Sequence, residues 1–201
     1  MKKITKDSQQ CKPIEWTKAK KALDKLEKAG NYNAWLLLTV GFYTGLRIGD
    51  ILSLKYGDFN NDSLTITEQK TGKTRNIPIV QTLHNVIATC KASNKANDTI
   101  FLFTNSRYKA NKPITTAAAI TRIRETLEFC GFSESKNGNL SAHTMRKTFA
   151  LRYFELMQDE VGEYRALSEL AKQLNHANTD VTRRYICLDI QTVTNVFANF
   201  D

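Results

Sequence analysis

The chain has 201 residues, 41% hydrophobic and 24% charged, with 29 lysines and arginines against 20 acids and a net charge of +9. That length suits one compact domain with at most a short extension, and no apolar run is long enough for a bilayer span or a signal core. A surplus this basic points to a polyanionic partner. The four cysteines (Cys11, Cys90, Cys130, Cys187) lack CxxC or CxxH spacing, which excludes an ordinary zinc site or disulfide framework and suits reduced thiols in a cytoplasmic protein.

Residues 1–13 read as a basic lead-in or linker, and residues 1–30 hold nine lysines against four acids, so more than half of the surplus lies there. Glu15 to Ala29 has the spacing of an amphipathic helix, with Trp16, Ala19, Leu23 and Leu26 on one face and Gly30 ending it. Asn33 to Tyr43 is denser in apolar residues and predicts a buried helix, followed by a short one over Ile48 to Leu54. Ser63 to Gln69 and Thr74 to Ile79 alternate as two strands around a turn at Lys70-Thr71-Gly72-Lys73. Further helices are expected over Thr82–Ala92, Thr115–Phe129, Met145–Met157, Tyr164–Leu174, Val181–Cys187 and Gln191–Phe200, with a short strand at Ile100–Phe103. The acidic stretch Gln158 to Glu163 reads as a loop. The expected fold is mainly α with a small antiparallel β-sheet (α+β).

Two of the three histidines fall between Ser141 and Tyr185, beside an arginine and a tyrosine. With Ser141 as N-cap, His143 and Arg146 share one helix face, three residues apart. A histidine, an arginine and a tyrosine together suit attack on a phosphodiester. Taken singly, each has an ordinary structural reading: Tyr185 as a half-buried core residue, His176 as a capping histidine, Arg146 on a helix surface. Guanidinium groups clamp phosphoryl oxygens with two hydrogen bonds at once, which gives Arg47 and Arg146 a common purpose. No GxxxxGK[ST] loop and no carboxylate cluster for two metals stands out.

Five motifs occur in order: Thr44-Gly45-Leu46-Arg47 with Asp50 three residues on, Lys70-Thr71-Gly72 in the hairpin turn, His143-x-x-Arg146, Leu174-Asn175-His176, and Tyr185 nine residues later. Across about residues 15–195 the chain thereby resembles the catalytic domain of the tyrosine recombinases of the phage-integrase type. The resemblance implies strand cleavage and rejoining on double-stranded DNA through a 3′-phosphotyrosyl intermediate, with neither metal nor cofactor. Integration or excision of a mobile element is the expected use. By family position Tyr185 is the nucleophile, Arg47, Arg146 and His176 stabilise the transition state, His143 takes the tyrosine proton and Lys70 protonates the leaving oxygen. Asp50 is expected to orient the arginines, and Lys73, Arg75 and Lys147 to meet the DNA backbone. The resemblance also implies other protomers on DNA, as a tetrameric synapse, with Val193, Val196, Phe197 and Phe200 of the C-terminal helix 191–200 as a docking stripe. Cytoplasmic residence on the nucleoid follows, with no membrane.

Two departures stand out. Asn175 occupies the place of the family's usual glycine. Residues 14–201 are expected to form the catalytic domain with only the basic lead-in before it, as a fragment of a longer protein or as a naturally short member without the family's usual N-terminal DNA-clamping domain. Two other functions share these residues: strand relaxation like that of a type IB topoisomerase, and a DNA-binding regulator whose site has decayed.

Overall fold

The computed structural model describes residues 10–104 and 111–188. Helix α1 (Trp16–Lys28) turns Ala19, Leu23 and Leu26 inward, the three- and four-residue spacing of a single apolar stripe. Helix α2 (Tyr32–Thr44) is apolar on every side and buries Trp35, Leu36, Leu37, Leu38, Val40 and Phe42. An all-round apolar helix has to be central, and α2 packs against α1, α4 (Gln81–Ser93), α5 (Thr116–Phe129) and α7 (Ala142–Val161).

Helix α2 ends at Gly45, whose φ of 60° and ψ of 19° lie in the left-handed region. A side chain there would be excluded twice over, because a Cβ would sit 2.2 Å from Cδ1 of Phe149 on α7. The turn delivers Arg47 to the start of α3 (Ile48–Leu52). Strands β1 (Ser63–Thr67) and β2 (Thr74–Pro78) then pair antiparallel, with Leu64 opposite Ile77 and Ile66 opposite Arg75. Glu68 and Gln69, expected in the first strand, belong to the turn instead: Glu68 N donates to Lys73 O at 3.0 Å, and Gly72 N to Glu68 O at 2.8 Å.

The strand expected at Ile100–Phe103 does not form. Isolated bridges join Lys55 to Phe101 and Thr104 to Pro113, because the neighbouring backbone coils at once into a 3₁₀ turn over Tyr56–Phe59 and leaves no edge long enough for a ladder. A short α6 (Glu134–Asn137) precedes α7, which is followed by α8 (Glu163–Leu174) and α9 (Thr179–Tyr185). The acidic stretch 158–163 is therefore no loop. It completes α7 and opens α8, with Gly162 (φ 82°) as the single break. The expected C-terminal helix 191–200 and most of the lead-in lie outside the described residues.

Buried apolar residues fall into two clusters. The larger joins α1 to α5, the hairpin and the start of α7, while the smaller gathers Ala150 and Phe154 of α7, Leu167, Leu170 and Leu174 of α8, and Ile186. No helix among the described residues is long and apolar enough to cross a membrane.

Candidate active site

Helix α7 starts where the Ser141 backbone N–H donates to Thr144 Oγ1 at 3.1 Å, the return half of a cap. One turn on, Arg146 is only 5% exposed. Its Nη1 donates to Gly45 O, and its Nη2 to Leu174 O at 3.1 Å. Those carbonyls lie at the C-terminal ends of α2 and α8, where helix dipoles favour a cation. The guanidinium is thus aimed by two helices besides its own. His143 stands exposed on the same face. Desolvation first, then the charges of Arg146, Lys147, Arg47 and Lys70, hold its pKa below the usual 6.5. Lys70 is therefore part of the same cluster of charge.

Tyr185, at the end of α9, has its hydroxyl buried and without an aligned hydrogen-bond partner among the described residues. Burial pushes its pKa up to about 12, and the charge of Arg146 is the largest influence opposing that rise. Arg146 acts on the hydroxyl as a nearby charge rather than as a well-directed donor. The Lys147 ammonium lies 5.1 Å from the Tyr185 ring centroid, and the His176 ring meets it edge-on at 4.9 Å. Nδ1 of His176 is 3.0 Å from Oγ1 of the buried Thr182. Desolvation, with Arg146 and Arg47 next, keeps the His176 pKa low and its ring neutral. The preceding Asn175 takes the left-handed conformation (φ 57°, ψ 41°). Asparagine tolerates that region better than other side chains do, so the turn survives without the glycine.

Arg47 contributes Nη1 to Glu68 Oε2 at 2.6 Å, an ion pair whose carboxylate side is fully buried. Glu68 also receives Thr71 Oγ1, Asn175 Nδ2 and Arg75 Nη1. Asp50, expected to orient the arginines, instead accepts the Gln69 N–H at 2.9 Å on Oδ1, while its buried Oδ2 has no partner among the described residues. It anchors the turn beside Lys70. Of the cations expected at DNA, Lys73 is exposed and donates to Asn175 Oδ1 at 3.0 Å. The Arg75 side chain is 10% exposed and tied to Glu68 and Gln173, and Lys147 is buried.

Arg47, Lys70, His143, Arg146, His176 and Tyr185 therefore come together from four separate stretches of chain. The sequence reading missed Glu68. Its signal was parity: Glu68 continues the two-residue spacing of the buried Leu64 and Ile66 one step past the end of β1, and a carboxylate in line with an apolar face needs a cation. Among the described residues no group of His, Cys, Asp or Glu is placed to hold a metal ion. A cavity of about 690 Å³ beside Leu37, Phe101 and Phe129 shares none of these residues.

This arrangement offers a buried phenol, two guanidiniums, two imidazoles and an exposed ammonium, groups able to carry charge on a phosphoryl group in transfer. Comparisons with known proteins identify the family and the fold. The profile described as the phage integrase family matches residues 14–191. The "probable integrase/recombinase YoeC" of Bacillus subtilis (strain 168) is 31% identical over 187 residues, covering 90% of this chain and 94% of the relative. The fold resembles that of the XerH site-specific recombinase bound to its palindromic difH substrate in a post-cleavage complex (TM-score 0.67, 21% identity, 94% of this chain and 53% of that one). It also resembles a lambda integrase tetramer bound to a Holliday junction (TM-score 0.60, 16% identity, 87% of this chain and 47% of that one). The chain thus spans about half the length of those two proteins.

Proposed function

The chain belongs to the phage integrase family, as a tyrosine recombinase catalytic domain, and on that premise we propose that it cuts and rejoins double-stranded DNA by two transesterifications. The phenol oxygen of Tyr185 attacks the scissile phosphorus. His143 takes the phenol proton, which a neutral imidazole is able to do and an imidazolium is not. Arg47 and Arg146 hold the non-bridging oxygens through the pentacoordinate state, and His176 donates to them. The bond to the 5′ oxygen breaks as Lys70 delivers a proton to it. The product is a 3′-phosphotyrosyl link and a free 5′ hydroxyl. Attack by the 5′ hydroxyl of a partner strand reverses the sequence and releases Tyr185, so strands exchange with no external energy source.

The observation that carries this reading is the convergence on Arg146. It is buried, held by the ends of α2 and α8, and it is the main charge lowering the pKa of the Tyr185 phenol. Lys73 at the surface, with Arg75 and Lys147 behind it, supplies the positive field that draws the DNA backbone. Residues 14–201 act as the catalytic domain after a basic lead-in, in a cytoplasmic, nucleoid-associated protein. Several protomers assemble on the DNA, and we assign the apolar residues of 191–200 to that contact. Integration or excision of a mobile element is the use that fits.

Covalent trapping tests the reading. The protein is incubated with nicked or supercoiled DNA and quenched in detergent, and a protein–DNA adduct that protease removes is sought. An adduct in the wild type that disappears in Tyr185→Phe and Arg146→Ala is the expected result. An adduct that survives Tyr185→Phe refutes the assignment of the nucleophile.

A further inference from the structure

The hairpin leading to Lys70 and the segment bearing His176 and Tyr185 belong to different apolar clusters. Leu64, Ile66 and Ile77 pack in the larger one, Leu170, Leu174 and Ile186 in the smaller. Their apolar faces therefore do not fix one against the other. What joins them is polar, and it centres on Glu68.

The Glu68 side chain has no exposed surface. Burial alone would raise its pKa, but hydrogen bonds from Arg47, Thr71 and Arg75 overcome that and pull it down to about 2. A buried carboxylate at neutral pH is tolerable only when its oxygens are saturated. Here Oε2 receives Arg47 Nη1 at 2.6 Å, Thr71 Oγ1 at 2.9 Å and Asn175 Nδ2 at 3.1 Å, while Oε1 receives Arg75 Nη1 at 3.1 Å. Asn175 in turn accepts from Lys73 Nζ at 3.0 Å, and Arg75 Nη2 donates to Gln173 Oε1 at 3.2 Å. Among the described residues, hydrogen bonds from the hairpin to the end of α8 thus run through Glu68, Lys73 and Arg75. Asn175 bonds both Glu68 and Lys73 of the hairpin and directly precedes His176. A glycine in its place would keep the left-handed turn and lose both bonds.

We propose that Glu68 and Asn175 form a clasp of positioning residues that holds Arg47 and the Lys70 turn in register with His176 and Tyr185 for strand cleavage. The proposal rests on the cleavage reading above. Glu68 commits one N–H of Arg47, and a guanidinium carries five, so its remaining donors stay free for a phosphate in a fixed orientation. The clasp touches no reacting atom and works through Arg47 and the two segments it joins.

The substrate for the test is a duplex that the wild-type protein captures covalently from a random-sequence pool, with the cleaved linkage mapped from the adduct. Asn175→Gly preserves the turn and Glu68→Gln preserves shape. Both are expected to bind this duplex within about twofold of wild type yet form adduct on the order of 10- to 100-fold more slowly in a single turnover. Added to Arg47→Lys, Glu68→Gln should cost little more, since the two act as one unit. Replacing the scissile phosphate by a methylphosphonate, which carries no charge for Arg47 to meet, should narrow the Glu68→Gln deficit. A role confined to stability would slow both linkages alike and add to Arg47→Lys in full. Wild-type adduct together with wild-type rates in both variants overturns the clasp and leaves the cleavage reading standing. No wild-type adduct anywhere in the pool overturns the cleavage reading, and the clasp with it.

Discussion

His143 and Tyr185 sit in the same field of positive charge, yet their pKa values move in opposite directions, by partial desolvation of the imidazole and burial of the phenol. The imidazole is held below its usual 6.5 and the phenol is raised to about 12. Each shift disfavours the charged form of its own group, the ordinary result of desolvation. For the imidazole the consequence is useful. Because its pKa is lowered, His143 stays unprotonated through neutral pH and becomes a cation only below the usual histidine range. Adduct formation should therefore be flat around pH 7 and fall on the acid side only below about pH 6.5, as the base is lost. In His143→Gln that acid limb should be absent and the plateau lower, on the order of 100-fold. Single-turnover rates across pH 5–8 check this. An acid limb that persists in His143→Gln would assign the proton transfer to another group. The phenol's high pKa gives the reason a base is needed at all, since almost none of it is ionised at neutral pH.

At the scale of elements, the site depends on where helices stop. Gly45 closes α2 with φ 60°, and its carbonyl receives Arg146; Gly162 separates α7 from α8 with φ 82°. Both have positive φ, Gly45 in the left-handed helical region and Gly162, with ψ 161°, in the extended region that glycine alone takes readily. A Cβ at Gly45, however, meets the Phe149 ring at 2.2 Å whereas at Gly162 nothing lies within 4 Å. Gly162→Ala should cost only the backbone strain, about 1–3 kcal/mol. Gly45→Ala adds a clash between α2 and α7 and should cost more, roughly 2–5 kcal/mol. It should also slow adduct formation, because the carbonyl that orients Arg146 has to move. Urea unfolding of both variants beside the trapping assay checks this, and a Gly45→Ala cost of only about 1–2 kcal/mol, the left-handed strain alone, would mean that Phe149 yields freely.

The helix stops also mark how far the sequence was legible. Periodicity and end signals located α1, α2, α5, α7, α8 and α9 to within a few residues, because an apolar stripe and a terminal glycine or asparagine report local chemistry. The spacing His143-x-x-Arg146 likewise foretold a shared face. The 100–103 stretch was misread because strand formation depends on a partner edge that local sequence does not contain. The acidic run 158–163 was misread because charge resembles a loop, although charged residues sit comfortably on an exposed helix face. Glu68 escaped because its partners Arg47 and Asn175 lie 21 and 107 residues away, and nothing local announces a contact of that range.

For the molecule as a whole, the decisive feature is that the site spans two apolar clusters. Arg47 and Lys70 ride on the larger, His176 and Tyr185 on the smaller, and α7 runs through both. Arg146 straddles the division, bonded to Gly45 on one side and Leu174 on the other. A small cluster joined to a large one by one helix and a set of polar bonds is placed to open on its own, below the energy of global unfolding. Leu170 and Leu36 are both fully buried, the first in the small cluster and the second in the large one. Truncating either to alanine costs about 2–5 kcal/mol, but the cost should appear in different amides. Leu170→Ala should speed hydrogen exchange along α8 and α9 by roughly 30-fold or more while leaving α2 protected, because it favours the local opening alone. Leu36→Ala should accelerate α2, and α8 and α9 only as far as they open globally. Native-state hydrogen exchange on the two variants reads this directly. If Leu170→Ala accelerates α2 and α8 equally, the chain unfolds as one unit, and the separation between Arg47 and Tyr185 is one of packing only. If the two respond separately, the position of Tyr185 relative to Arg47 becomes an adjustable quantity, and a DNA phosphate bridging both sides would itself complete the site.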